Sequence, residues 1–174
     1  MRPSSVIRVT WSIVLTFAFL SVAHGGGQDV LKVWKLDSLD EVLTKSGVEI
    51  DKTVSSDGNG SLKIIATQPT VIRLFETDEL GVDNAQLAYQ AHLRTQDVKG
   101  KVFLEMWCRF PDKGEFFSRG LQSALTGTVG WTSNETPFFL RKGEKPDKVK
   151  LNVVIDGTGT VWVDDVKLVK RPLK

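Results

Sequence analysis

The chain has 174 residues, of which 41% are hydrophobic and 25% are charged, so its composition fits one folded domain and argues against a disordered chain or a polytopic membrane protein. Its 23 Lys and Arg against 21 Asp and Glu give a formal charge of +2, which argues against the basic field of a nucleic-acid-binding protein. A single cysteine excludes an intramolecular disulfide and a four-cysteine metal site.

The N-terminus has the pattern of a secretory signal peptide. Two arginines precede an almost wholly apolar stretch, residues 9–23, which ends in small residues. We expect cleavage after Ala23, with Gly25 as the other candidate, so that residues 24–174 form one secreted domain. The alternative is a retained membrane anchor, but the stretch is shorter than the roughly 20 residues that a spanning helix needs. Loss of the two arginines leaves a formally neutral chain.

The remaining sequence predicts short strands separated by turns, with one short helix at residues 37–45. Strands 61–66 and 70–76 are expected to pair across Gln68 and Pro69, and residues 156–159 are expected to form a turn. The predicted strands, in chain order, are 30–35, 48–54, 61–66, 70–76, 86–95, 101–110, 148–155 and 160–168.

Two of these strands alternate most clearly between apolar and polar side chains. In 86–95 the predicted outward side chains are Gln90, His92 and Arg94; the inward ones are Leu87, Tyr89, Ala91 and Leu93. In 101–110 the outward side chains are Phe103, Glu105, Trp107 and Arg109; the inward ones are Val102, Leu104, Met106, Cys108 and Phe110. About eight strands with almost no helix predict a β-sandwich. Residues 111–136 are predicted to form a long loop.

Three stretches carry a resemblance to known proteins. Residues 57–64 (DGNGSLKI) and 157–168 (GTGTVWVDDVKL) resemble an early strand and the final hairpin of galactose-binding-like jelly-roll domains, which include many carbohydrate-binding modules. Residues 104–121 resemble small secreted bacterial proteins of unassigned role. The resemblance implies an all-β jelly-roll β-sandwich and non-catalytic binding of a carbohydrate or a cell-surface polymer.

The polar side of the two alternating strands is the first candidate binding surface. If the strands pair as a meander, Gln90 and His92 lie near Glu105, Trp107 and Arg109. A sugar site needs an aromatic plate for the ring and charged or amide groups for the hydroxyls, and this set supplies both. The alternative is structural: Trp107 packs under the long loop, while Glu105 and Arg109 form an ion pair.

A second candidate is a stacking surface carried by the long loop. Its aromatic rings are Trp131, Phe116 and Phe117. Sandwich domains often place binding residues on loops, which makes this surface a candidate. The alternative is that these rings tether the loop to the core.

The resemblance also implies a structural calcium ion between the opening strands and the first Asp of the final pair. Asp164 matches that position, and Asp57 is a remote second ligand. A hard cation needs several further oxygen ligands, which the sequence does not assign.

Three function classes remain open. The first is a secreted binding module for a glycan, with no nucleic-acid partner and no membrane partner after signal removal. The second is a structural or protein-interaction module without a small ligand. The third is a jelly-roll polysaccharide lyase, since Gln90 and His92 match the Gln-x-His strand motif of those enzymes and Arg94 and Arg109 suit an acidic sugar. The lyase motif with a final-strand tyrosine is absent, because the only tyrosine is Tyr89. We therefore expect no enzyme activity.

Overall fold

The computed structural model describes residues 27–173, and this part of the chain contains eight antiparallel strands and one short 3₁₀ helix, Leu121–Ser123. The predicted signal peptide, residues 1–23, lies outside the described residues. Within them, no helix combines the length and the apolar character needed to cross a membrane. The strands are β1 (Asp29–Trp34), β2 (Val48–Asp51), β3 (Ser61–Ala66), β4 (Thr70–Asp78), β5 (Ala85–Phe110), β6 (Gly114–Arg119), β7 (Leu125–Leu140) and β8 (Lys148–Pro172).

Two long strands, β5 and β8, form the centre of the fold. They pair antiparallel along nearly their whole length, from Ala85 opposite Pro172 to Arg109 opposite Lys148. Each contains two of the predicted strands joined end to end, so the predicted turn at 156–159 is wrong. The sequence-based division into four strands is wrong because glycines usually indicate a turn. In this protein they lie at a bend within a continuous two-stranded ribbon.

The bend lies where Gly100 faces Gly157 across the ribbon. Both have positive φ angles, +117° and +154°. A Cβ atom on Gly100 would lie 2.0 Å from the carbonyl oxygen of Asp156, and one on Gly157 would lie 1.9 Å from that of Lys99. Only glycine fits this approach of two backbones, because any side chain would overlap a carbonyl group.

The bend folds the ribbon into two layers. We define the first layer as residues 85–95 and 160–172 with their neighbours β1, β2, β3 and the second half of β7. We define the second layer as residues 101–110 and 148–156 with their neighbours β4 and β6. The inward side chains of both layers belong to one hydrophobic core, as expected for a β-sandwich.

The predicted alternation is confirmed in both halves of β5. The inward residues are almost fully buried and line the common core: Leu87, Tyr89, Ala91, Leu93, Val102, Leu104, Met106, Cys108 and Phe110. Burial raises the pKa of the Cys108 thiol to about 12, so this cysteine behaves as a small apolar side chain.

Three local expectations are wrong. Residues 37–45 form turns, because the N–H groups of Leu43 and Thr44 donate to carbonyl groups of β4 instead of continuing a helix. Strands β3 and β4 do not pair with each other; both pair with β8, on opposite sides of its bend. The predicted loop 111–136 contains β6 and most of β7.

Candidate functional site

The five polar residues expected to converge are divided between the two layers. Gln90 and His92 lie in the first layer, whereas Glu105, Trp107 and Arg109 lie beyond the bend in the second. The expected meander is wrong because both segments belong to one strand. The protein therefore presents two separate candidate surfaces.

The first surface is the outward side of the second layer, which we call the aromatic face. Its side chains form three rows that cross β6, β5, β8 and β4, and the central row contains two aromatic rings between two polar rows. The rows are Arg119–Glu105–Asn152–Arg73, Phe117–Trp107–Lys150–Glu76 and Glu115–Arg109–Lys148–Asp78.

Trp107 and Phe117 form an aromatic pair at the centre of this face. Their ring centroids are 5.0 Å apart with planes tilted by 48°. Trp107 is half-buried, while Phe117 is 51% exposed and has the guanidinium of Arg119 4.5 Å from its ring centroid. The alternative in which Trp107 packs under a long loop is wrong, because the segment beside it is the strand β6.

Glu105 holds this pair in place from beneath and is only 4% exposed. Its carboxylate accepts hydrogen bonds from the indole N–H of Trp107 (2.7 Å), from Nε of Arg119 (2.7 Å) and from the amide of Asn152 (3.1 Å). Burial alone would raise the pKa of Glu105, but these three donors outweigh burial and keep the pKa below its ordinary value. Glu105 is thus an ionised positioning residue rather than a contact residue.

The expected Glu105–Arg109 ion pair is wrong. Arg109 instead makes two hydrogen bonds to Asp147, at 3.0 and 2.9 Å. Every other cation on this face also has a carboxylate partner, so positive and negative side chains cancel. The pairs are Arg73–Glu76, Lys148–Glu76, Lys148–Asp78, Lys150–Glu115 and Arg119–Glu105.

The second surface is a cavity of about 160 Å³ in the first layer, which we call the polar pocket. It lies where β7, β5 and β8 run side by side, next to a register shift between Gln90 and His92. A bulge of this kind turns extra side chains toward the surface. The lining residues are Gln90, Ala91, His92, Ser133, Asn134, Glu135, Asp165 and Lys167.

Gln90 and His92 are both fixed by neighbours in this pocket. The amide of Gln90 donates to Glu135 (2.7 Å), and Glu135 also accepts two bonds of 2.7 Å from Arg171. Burial would raise the pKa of Glu135, but the bonds from Arg171 and Gln90 outweigh it and lower the pKa. The Nδ1 atom of His92 lies 3.2 Å from Oγ of Ser56 and 3.7 Å from the carboxylate of Asp165.

The predicted loop-borne stacking surface is not formed. Trp131 lies on β7, where the strand pairs with residues 93–95 of β5, whereas Phe116 and Phe117 lie on β6 opposite Cys108 and Trp107. Trp131 is half-buried and does not line the polar pocket.

The residues around Asp164 do not fit the implied calcium ion. Asp164 is fully buried, and its carboxylate accepts bonds of 2.8 Å from the N–H and the hydroxyl of Ser56 and from the N–H of Asp165. The ammonium of Lys35 lies 2.8 Å from Asp165 and 3.9 Å from Asp57. Among residues 27–173, no group of three or more His, Cys, Asp or Glu side chains is arranged to hold a metal ion. Hydrogen-bond donors therefore satisfy the carboxylate of Asp164, and the ammonium group of Lys35 satisfies that of Asp165.

Sequence reasoning missed several residues that complete these surfaces. It treated Phe117 only as a loop residue and gave Arg119 no role, because the six residues of β6, which begin at a glycine, give a weak strand signal. Glu135 and Lys167 carry no local motif, and only the register of β7 and β8 against β5 brings them to Gln90.

The geometry described above defines a class of fold shared with known binding domains. No family model and no curated protein matches this sequence. Solved structures do match, and these structural neighbours are carbohydrate-binding modules with a galactose-binding-like β-sandwich.

Three of these neighbours show how far the likeness extends. The CBM22-1 xylan-binding domain of Paenibacillus barcinonensis Xyn10C has a TM-score of 0.60 and 11% identity, over 84% of this chain and 97% of that one. A xylan-binding domain from CBM22 has a TM-score of 0.52 and 10% identity, over 85% of this chain and 96% of that one. A family 16 carbohydrate-binding module has a TM-score of 0.52 and 11% identity, over 70% of this chain and 84% of that one. At these identities the comparison concerns the fold alone.

Proposed function

We propose that this protein is a secreted, non-catalytic carbohydrate-binding module of jelly-roll topology that binds a neutral polysaccharide on its aromatic face. The observation that carries the proposal is the half-exposed Trp107–Phe117 pair at the centre of a charge-balanced sheet surface. Secretion rests on the predicted signal peptide. Two of the structural neighbours are xylan-binding domains, which supports the ligand class.

The chemistry of a sugar ring matches the three rows of this face. The apolar side of a pyranose ring packs on an aromatic ring, and its hydroxyl groups exchange hydrogen bonds with charged or amide groups around it. Lys150 and Glu115 lie beside the aromatic pair and supply a donor and an acceptor. Because the charges cancel, the face neither attracts nor repels a neutral chain at long range.

Affinity gel electrophoresis with soluble xylan and with hydroxyethylcellulose tests the proposal. We expect both polymers, or one of them, to retard the wild-type protein, and Phe117→Ala to weaken retardation at least tenfold. Phe117 is the better target because its ring is half-exposed and its truncation leaves the core intact. Trp107→Ala should give the same loss, with the fold checked by circular dichroism.

Ile65→Ala is the matched control, since Ile65 is an exposed apolar residue on β3 and 58% exposed. It should bind as the wild type does. Equal retardation of wild type, Phe117→Ala and Trp107→Ala would contradict the proposed site, and no retardation by any neutral polymer would contradict the proposed function.

A protein-interaction module is the second candidate, and one feature favours it. A groove of about 450 Å³ lies between the edge strands β6 and β7. It is lined by five phenylalanines and three charged residues: Phe110, Phe116, Phe117, Phe138, Phe139, Lys113, Arg141 and Glu144. Exposed aromatic residues on edge strands are typical of protein contact sites. Light scattering coupled to size exclusion over a hundredfold concentration range would support this candidate if the mass doubled and Phe139→Ala prevented the doubling.

The lyase alternative has little support in the geometry. The amide of Gln90 already donates to Glu135, and Tyr89 is fully buried in the core, where burial raises the pKa of its phenol. We expect no unsaturated product, measured by ultraviolet absorbance, when the protein is incubated with uronate polymers.

A further inference from the structure

Within the described part of the chain, the polar pocket contains one cation that has no carboxylate partner. Lys167 lines the pocket on β8, and among residues 27–173 no carboxylate oxygen lies within 4.0 Å of its ammonium nitrogen. Lys167 faces Gln90 across the β5–β8 ladder, at the same level as Glu135 on β7. Its positive charge is therefore available to a ligand.

Both carboxylates of the pocket are already neutralised from outside it. Glu135 is paired with Arg171 through two hydrogen bonds of 2.7 Å, and Asp165 is paired with Lys35 at 2.8 Å. Each lining carboxylate therefore has a cation of its own, and within residues 27–173 Lys167 remains without a carboxylate partner.

A second cation without a carboxylate partner lies on the same outward side. Arg94 follows His92 by two residues on β5, and its guanidinium is 5.6 Å from the ring centroid of Trp162. Within the described part of the chain, no carboxylate oxygen lies within 4.0 Å of its guanidinium nitrogens. Two cations without a carboxylate partner among the described residues thus flank His92, in contrast to the aromatic face, where each cation is paired.

The other lining groups suit a small polyhydroxylated ligand. Gln90, Ser133 and Asn134 offer amide and hydroxyl groups, and Nε2 of His92 has no hydrogen-bond partner within the described residues. No Phe, Tyr or Trp of residues 27–173 lines the cavity, so these residues offer a ligand charge and hydrogen bonds rather than a stacking surface.

We propose that the polar pocket is a second binding site, which takes an acidic sugar by pairing the carboxylate of a uronic acid residue with Lys167. Gln90 and Ser133 bind its hydroxyl groups, and Arg94 adds favourable long-range attraction. The inference rests on the proposed carbohydrate-binding function for its ligand class, but it uses none of the residues of the aromatic face.

Isothermal titration of the purified protein with an oligogalacturonate, and in parallel with the methyl ester of the same oligomer, tests this site. We expect wild-type protein to bind the acid at least tenfold more tightly than the ester, and Lys167→Gln to remove that difference. Raising NaCl from about 10 to about 150 mM should weaken binding of the acid, because the shorter Debye length screens an exposed pair.

Lys170→Gln is the matched control: it removes the same charge from the same strand, but Lys170 lies outside the pocket, 3.8 Å from Asp29. It should bind the acid as the wild type does. Equal affinity of wild type and Lys167→Gln for the acid, or equal affinity of the wild type for acid and ester, would overturn the site. Acetate that displaces the oligomer as effectively as galacturonate monomer would overturn its assignment to a sugar.

The Phe117→Ala variant separates the two proposals. Retained uronate binding in this variant, with neutral-polymer binding absent even in the wild type, would refute the aromatic face alone. Neutral-polymer binding that depends on Phe117, with no uronate binding, would refute the pocket alone.

Discussion

The two outward surfaces of β5 belong to one strand and have opposite chemistry. Beyond the bend, Trp107 lies in a surface where every charge has a partner. Before the bend, His92 lies between Arg94 and Lys167, which have no carboxylate partner within the described residues. The same alternation of inward and outward residues thus produces one surface with paired charges and one that holds two cations without a carboxylate partner among the described residues.

The difference arises from the neighbours of β5. In the second layer, β6 and β8 bring Glu115 and Arg119 alongside Lys150 and Glu105 in a regular register. In the first layer, register shifts place Asp165 next to Lys35 and leave Lys167 alone. Regular pairing brings opposite charges together within a row and between neighbouring rows, whereas a bulge interrupts the rows and opens a cavity.

The largest expected effect is on the aromatic face, where Glu105→Ala should lower the free energy of unfolding by about 3 kcal/mol. The change leaves the buried amide of Asn152 and the half-buried indole N–H of Trp107 without their acceptor, and it removes the carboxylate partner of Arg119. Urea unfolding measures it. Glu115→Gln, which breaks a surface pair with Lys150, is the control and should cost less than about 1 kcal/mol. If Glu105→Ala lowered the free energy of unfolding by less than about 1 kcal/mol, the hydrogen bonds of Glu105 would not stabilise this face.

A smaller loss is expected in the first layer, where Asp164→Ala should cost about 2 kcal/mol. Asp164 anchors the Ser55–Ser56 turn to β8 through hydrogen bonds, without an ion pair. Since hydrogen-bond donors satisfy this carboxylate, we expect the melting temperature of the wild type to be unchanged by a calcium chelator. A chelator-induced drop that Asp164→Ala abolishes would restore the calcium hypothesis.

The smallest expected effect compares the two layers in mild acid. The folded-state pKa values of Glu105 and Glu135 lie below their ordinary value of 4.5, so both carboxylates stabilise the fold fully above that pH. This contribution is lost as the pH falls through the lowered values. Urea midpoints between pH 7 and about pH 3 should therefore decline below about pH 4.5, with a shallower decline in Glu105→Gln and in Glu135→Gln. Identical curves for wild type and both variants would show that neither carboxylate is held ionised by its partners.

Local pattern predicted much of the fold, because burial in a sheet has period two. The inward residues of β5 followed from alternation, and the limits of β3 followed from the turn residues that flank it. The continuity of β5 and β8 could not be predicted in this way, since Gly100 and Gly157 give the same local signal for a turn as for a bend.

The candidate sites were predicted only in part, for the same reason. The outward orientation of Trp107, Arg109, Gln90 and His92 is local and was correct. Their division between two layers, and the burial of Glu105 by Arg119 and Asn152, depend on which strands lie beside β5. Such long-range pairing leaves no trace in the spacing of neighbouring residues.

The continuity of the ribbon formed by β5 and β8 has a consequence for how the molecule comes apart. Each of these strands forms backbone hydrogen bonds in both layers. Unfolding of one layer therefore removes hydrogen-bonded neighbours from the other layer. We therefore expect a single cooperative unfolding transition, with the same midpoint whether it is followed at the tryptophan of one surface or at the histidine of the other.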